Sequence, residues 1–179
     1  MLSLTIVGDS PLICHRWSDD AKRAMLEKQM KMPKQAREAK NPEKLYEDSL
    51  YRGAKGKYVF PAIAFKKAAV DACSHVAEIT KVLARGCFHV LGEYVSIEGR
   101  PEPREDVVRV GMGTADIRYR GQFPQWSTKL LIRYNSAVLT AAQIINLFNV
   151  AGFAIGVGDW RPQRDGNFGM FHVQAKQEK

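Results

Sequence analysis

The chain has few cysteines, no long apolar run and no familiar catalytic signature, and each absence removes a class of function. Cys14, Cys73 and Cys87 are an odd number without CxxC spacing, which argues against a disulfide framework and a thiolate zinc site. All three are expected to serve as small buried hydrophobes. No apolar stretch reaches the roughly 18 residues that a membrane helix needs. The opening "MLSLTIVGDSPL" has neither the basic start nor the small-residue cleavage site of a signal peptide. A soluble, cytoplasmic protein with no membrane partner is the expectation. His15, His75, His89 and His172 are dispersed, and HExxH, a nucleophile elbow and a Walker loop are all missing. No catalytic residue, metal or cofactor is therefore assigned. Acidic charge is also short: 19 Asp and Glu face 27 Lys and Arg, a formal net of +8. That balance favours phosphate-bearing partners.

At 179 residues and 45% hydrophobic, the chain fills one core with insertions, a single domain over 1–179. The alternation in "LSLTIVGDSPLI" predicts a strand from about 2 to 8. Ser18 before "DDAKRAMLEKQMKM" sets up a capped helix with acids first and bases later; Pro33 interrupts it, and a second short helix starts after Asn41. Residues 18–52 are thus a helical insertion. Over 18–57, eleven Lys and Arg stand against seven Asp and Glu, a net of +4. Lys22, Arg23, Lys28, Lys31, Lys34 and Arg37 are either a docking face for a neighbour or a solvated edge.

In "KYVFPAIAFKKAAVDACSHVAEI" a short extended piece, Tyr58 to Phe60, enters a helix at Pro61, with Lys66 and Lys67 near its anion-favouring start. "CFHVLGEYVSIEG" reads as a strand bent at Gly92, and residues 100–128 form a long excursion. The alternating "WSTKLLIRYN", a helix capped by Thr140 and a last strand in "FGMFHVQAK" follow. This order predicts an α+β, ferredoxin-like (RRM-like) βαββαβ sandwich, with both helices on one face of an antiparallel sheet.

The segment "FAIGVGDWRPQRDGNFGMFHV" joins the last helix to the last strand. Gly152 or Gly156 ends the helix, while Gly158, Gly166 and Gly169 permit tight turns or close approach. Arg161 and Arg164 are spaced to flank an extended phosphate backbone, and Trp160 and Phe168 offer stacking surfaces. The same residues also suit a glycine-stabilised turn with solvated arginines. A dinucleotide site is excluded, because its glycines follow a strand and precede a helix, the reverse of this order.

"YVFPAIAFKKAAVDAC" and, much later, "LFNVAGFAIGVGDWRPQRDGNFGMFHV" resemble two landmarks of the repeat-associated RAMP superfamily, especially the backbone subunits of CRISPR effector complexes. The first landmark is matched at Phe60, Pro61, Phe65 and Lys66. The second, a glycine-rich loop before the last strand, is matched at Gly156, Gly158, Arg161, Gly166, Phe168 and Gly169. The size also suits a solitary or phage-borne relative. The resemblance implies a non-catalytic, antiviral-defence type of protein that binds single-stranded RNA, or DNA, along its sheet and glycine loop. It would stack into a filament with itself and with other subunits of a CRISPR-like complex. The 100–128 excursion would act as a thumb, with Arg100, Arg104, Arg109, Arg118 and Arg120 as its bases and Tyr119 and Phe123 interleaved. Lys66, Lys67, Arg109, Arg118, Arg120, Trp160, Arg161, Arg164 and Phe168 are the expected nucleic-acid contacts. A decoy or inhibitor imitating such a subunit is the second reading. An RNA-cutting subunit using Asp19 and Asp20 with a metal, or His15, is the third.

Overall fold

The period of two in the first strand decides which way it faces: Leu4 and Ile6 are buried while Ser3 and Thr5 between them are exposed. The computed structural model describes residues 1–33, 39–111 and 113–175, so Lys34 and Arg37 lie outside the described residues. Along the chain the strands are β1 Leu2–Gly8, β2 Leu12–Cys14, β3 Val59–Pro61, β4 Phe88–Val90, β5 Tyr94–Glu98, β6 Glu102–Val110, β7 Thr114–Phe123, β8 Ser127–Tyr134 and β9 Phe171–Val173. The helices are α1 Asp19–Gln29, α2 Pro42–Ser49, α3 Ala62–Ala72, α4 Lys81–Cys87 and α5 Ala141–Ala154.

The result is a mixed α+β protein with two antiparallel sheets. The main sheet runs β3-β5-β8-β1-β9, with β4 also on β8. Its register places Leu4 opposite Leu130 and Ile6 opposite Thr128, all buried. These side chains meet α3 and α5 through Phe65, Ala69, Ile144 and Phe148. Phe65 and Trp126 pack on Phe171 at 5.7 and 6.3 Å between ring centroids, tying α3 to the last strand.

Local chemistry explains where the helices start. Ser18 Oγ accepts from Ala21 N, Asn41 Oδ1 from Lys44 N, and Thr140 shares a capping box with Gln143. The helix at Pro61 also forms, but Lys66 and Lys67 sit in its second turn, past the free N–H groups. The strand around Gly92 is split. From Val90 opposite Ile132 to Ile97 opposite Thr128 it uses seven residues where β8 uses four, and Gly92 turns at φ +89°. β2 and α4 were not foreseen.

The excursion folds as a long two-strand arm, β6 on β7, running in register from Glu102 opposite Gln122 to Val110 opposite Thr114. Its base is anchored. β2 pairs with the end of β7, and α2 packs on β7, where Ser49 Oγ accepts from Gly121 N at 2.7 Å. Leu50 fills the space a side chain at position 121 would need.

Cys14 and Cys73 are buried and Cys87 is half-buried. Burial, with the Asp159 charge adding, pushes the Cys14 thiol up to about 12, and burial raises Cys73 too. In a native thiol titration near pH 8, Cys87 is expected to react first, with Cys14 and Cys73 reacting only on unfolding. Prompt labelling of Cys14, mapped by peptide mass, would contradict this packing.

Candidate functional site

The glycine loop is clamped on both sides. α5 closes where Ile155 N and Gly156 N both donate to Ala151 O, at 3.1 and 2.8 Å. The loop then lies against the segment after β1: Gly169 N donates to Pro11 O at 2.8 Å and Asp159 N to Ile13 O at 3.1 Å. It also closes on itself, Val157 N donating to Gly169 O and Phe168 N to Trp160 O, at 2.9 and 3.0 Å. Gly156, Gly158 and Gly169 have positive φ, while Gly166 has an ordinary φ but lies so close to Trp160 O that a Cβ would fall at 1.8 Å.

A charged cluster locks this loop to the arm. Arg104 Nε donates to both Asp106 carboxylate oxygens at 2.9 and 3.0 Å, and its guanidinium lies 4.6 Å over the Phe168 ring. Arg120 Nη1 is 3.3 Å from Asp159 Oδ2 and 3.6 Å from Asp106 Oδ2. His15 Nδ1 lies 2.8 Å from the same Asp159 oxygen; facing a carboxylate, that nitrogen carries the proton. Burial pushes the Asp159 carboxyl up, but the hydrogen bond and charge of His15, with Arg120 and Arg118 behind them, hold it below the usual carboxylate range. Burial also weakens the Arg120 guanidinium's hold on its proton, against the pull of Asp159 and Asp106.

Arg120 is corrected by this arrangement. It is 2% exposed and cannot reach a phosphate; its Nε and Nη1 are buried without hydrogen-bond partners among the described residues. It is a structural cation holding the arm to the loop. Lys66 is also engaged elsewhere, donating to Arg85 O and His89 Nδ1 at 3.1 and 3.0 Å beside α4 and β4.

The other expected contacts fall into two groups. Arg161 folds back on the loop, Nη1 donating to Gly158 O at 3.0 Å and Nε to Gln163 Oε1. Gln163 and Lys67 both donate to Asp71, so Lys67 and Arg161 share one network. Trp160 is 43% exposed, Arg164 and Arg109 are exposed with no ion pair among the described residues, Arg118 is half-buried, and Phe168 is half-buried under Arg104. Asp19 is paired with Arg16 and Lys22, and Asp20 with Lys44 at 2.6 Å, which occupies both carboxylates at the helix start.

Two features escaped the sequence. Asp159 meets His15 across 144 residues, and no spacing announces such a pair. The face of the main sheet away from the helices exposes Ser3, Thr5, Lys129, Leu131 and Arg133. The alternation in β8 is the signal that could have placed Lys129 and Arg133 on that face. Among the described residues no helix is long and apolar enough to cross a membrane, and no three His, Cys, Asp or Glu side chains gather to hold a metal. No protein-family model matches the chain, and no curated protein is found similar to it.

Proposed function

We propose that the chain binds a single strand of nucleic acid, RNA before DNA, without cutting it, and assembles side by side along it as the backbone of a ribonucleoprotein. The order β5-β8-β1-β9, with α3 and α5 in the two crossovers, supports the ferredoxin-like reading and, with it, the resemblance to RAMP backbone subunits.

One observation carries the proposal. Trp160 is a bulky residue held at φ +54°, a conformation that costs about 1–3 kcal/mol and persists only where surrounding structure enforces it. Here Phe168 N, Asp159 N and the close approach of Gly166 enforce it. The outcome is an indole 43% exposed on a rigid loop that also carries Arg164, exposed and with no ion pair among the described residues, docked at the base of the arm. A rigid aromatic plane beside cations is what sequence-tolerant binding of a single strand requires.

The test is binding of a labelled RNA, long enough for several copies, across a salt series. Trp160→Ala is expected to weaken binding by about 1–3 kcal/mol, the loss of one stacked base. Arg109→Glu with Arg164→Glu is expected to weaken it further and to flatten the salt dependence by about 0.7 in log–log slope per lost phosphate contact. Neither change touches the buried core, so far-ultraviolet circular dichroism should be unaltered. Unchanged affinity in both variants would overturn the proposal. A protein partner retained through nuclease and high salt would favour the decoy reading.

A further inference from the structure

α1 is an eleven-residue helix in which no residue is buried. Helices this short are marginal in water unless an apolar face is covered. Its first turn is held, by Asp20 to Lys44 at 2.6 Å and Asp19 to Arg16 at 3.0 Å. Beyond that turn it carries exposed Met25, Leu26 and Met30, at 41%, 55% and 63%, flanked by Trp17 and Met32 at 54% and 50%. Arg23, Lys28 and Lys31 on the same segment have no ion pair among the described residues. α1 as a whole is balanced, but past its paired first turn Arg23, Lys28 and Lys31 stand against Glu27 alone, and with the bare methionines they form a surface for a partner with an acidic, apolar groove.

The chain itself has that groove. Between α2 and the arm lies a cleft of about 580 Å³ walled by Pro42, Tyr46, Pro103 and Tyr119, and rimmed by Glu43 and Glu105; Glu47, paired with Arg52, and Arg104, paired with Asp106, line it too. Glu105 sits directly opposite Tyr119 in the arm's register. Neither rim glutamate has a cation partner among the described residues. In a chain of net charge +8, carboxylates around a tyrosine- and proline-walled cleft are a local reversal of sign. The chain's own helix leaves its apolar side chains in solvent, so it does not fill the cleft.

We infer that α1 of one copy docks in the α2–arm groove of the next, its methionines against the tyrosines and its Arg23 and Lys28 on Glu43 and Glu105. The two surfaces differ, so the contact is head-to-tail and leaves each bound copy with one surface free for the next. The inference deepens the side-by-side reading above by naming the contact, but it needs no nucleic acid to be tested. One helix in one groove is a small interface, so association of the free protein is weak and multiplies on a shared strand.

Sedimentation velocity of nuclease-treated protein over a hundred-fold concentration range tests it. The expected result is concentration-dependent growth beyond the monomer. Arg23→Glu with Lys28→Glu should weaken it about ten-fold or more, as should Glu43→Lys with Glu105→Lys, and one chain carrying all four changes should recover association. Met25→Ser with Met30→Ser should weaken it without altering charge. A strict monomer throughout, or a four-change chain as weak as either pair, would overturn the inference. Affinity of the unaltered chain for an RNA short enough to hold one copy, measured alongside, reads the binding proposal separately; its absence would count against that proposal and not against this contact.

Discussion

Replacing Gly169 by alanine is expected to destabilise the protein by about 3 kcal/mol or more, among the largest effects available to a single methyl group. Two independent penalties add at this position. Its φ of +66° disfavours any side chain, and the new Cβ would lie 1.7 Å from Val157 O. Relief would require breaking the bond from Val157 N to Gly169 O, which opens the loop, or lifting Gly169 N from Pro11 O, which detaches it from the segment after β1. Gly86→Ala is the matched control: an ordinary φ, no atom within 4 Å, and a place in α4. It should stabilise by about 0.5–1 kcal/mol. Urea unfolding of both variants reads the contrast. Equal midpoints would mean that the loop does not hold this closed form in solution.

Arg120→Leu is expected to cost about 2–3 kcal/mol. Loss of one partner from a fully buried pair costs about 3–5 kcal/mol, and this case falls short of that because the Asp159 side chain keeps 35% exposure and Asp106 keeps Arg104. The pH dependence gives the sharper reading. Asp159 has a depressed folded value, so its contribution to stability is present above the unfolded carboxylate value near ~3.9 and is lost as pH falls through the lower folded value. Without Arg120 the folded value rises, and acid unfolding should begin at higher pH. Arg120→Leu with Asp159→Asn removes both charges and should recover part of the loss. If the double variant is no better than the single one, the guanidinium acts through packing and not through charge.

Much of the fold was legible because its signals are local. Alternating residues gave β1 and β8, side-chain oxygens at Ser18, Asn41 and Thr140 gave three helix starts, and Gly92 marked a bend in what the structure divides into β4 and β5. β2 has only three residues and is defined by pairing with β7, more than a hundred positions away, which no local pattern records. α4 is seven residues long and contains Gly86, too short and too weak for a period to emerge. Arg120 was misread for a related reason. Arg118 and Arg120 stand two apart on one face of β7 and look alike in sequence, but the glycine loop meets the arm only at its base. Which arginine is covered depends on Asp159, some forty residues further along the chain, not on its neighbours.

The three-residue strands have a consequence for how this protein meets others. The main sheet ends on β3 at one side and β9 at the other, each three residues long, and β3 closes with Pro61, which has no N–H to offer. The smaller sheet ends on β2, again three residues, and on β6, whose run from Pro103 to Arg109 carries Arg104, Glu105, Asp106 and Arg109. Every sheet margin is thus too short, or too charged, to template another strand. In the proposed assembly, copies of this chain would crowd along a strand without fusing their backbones into a continuous sheet, and whatever joined them would be carried by side chains and remain reversible.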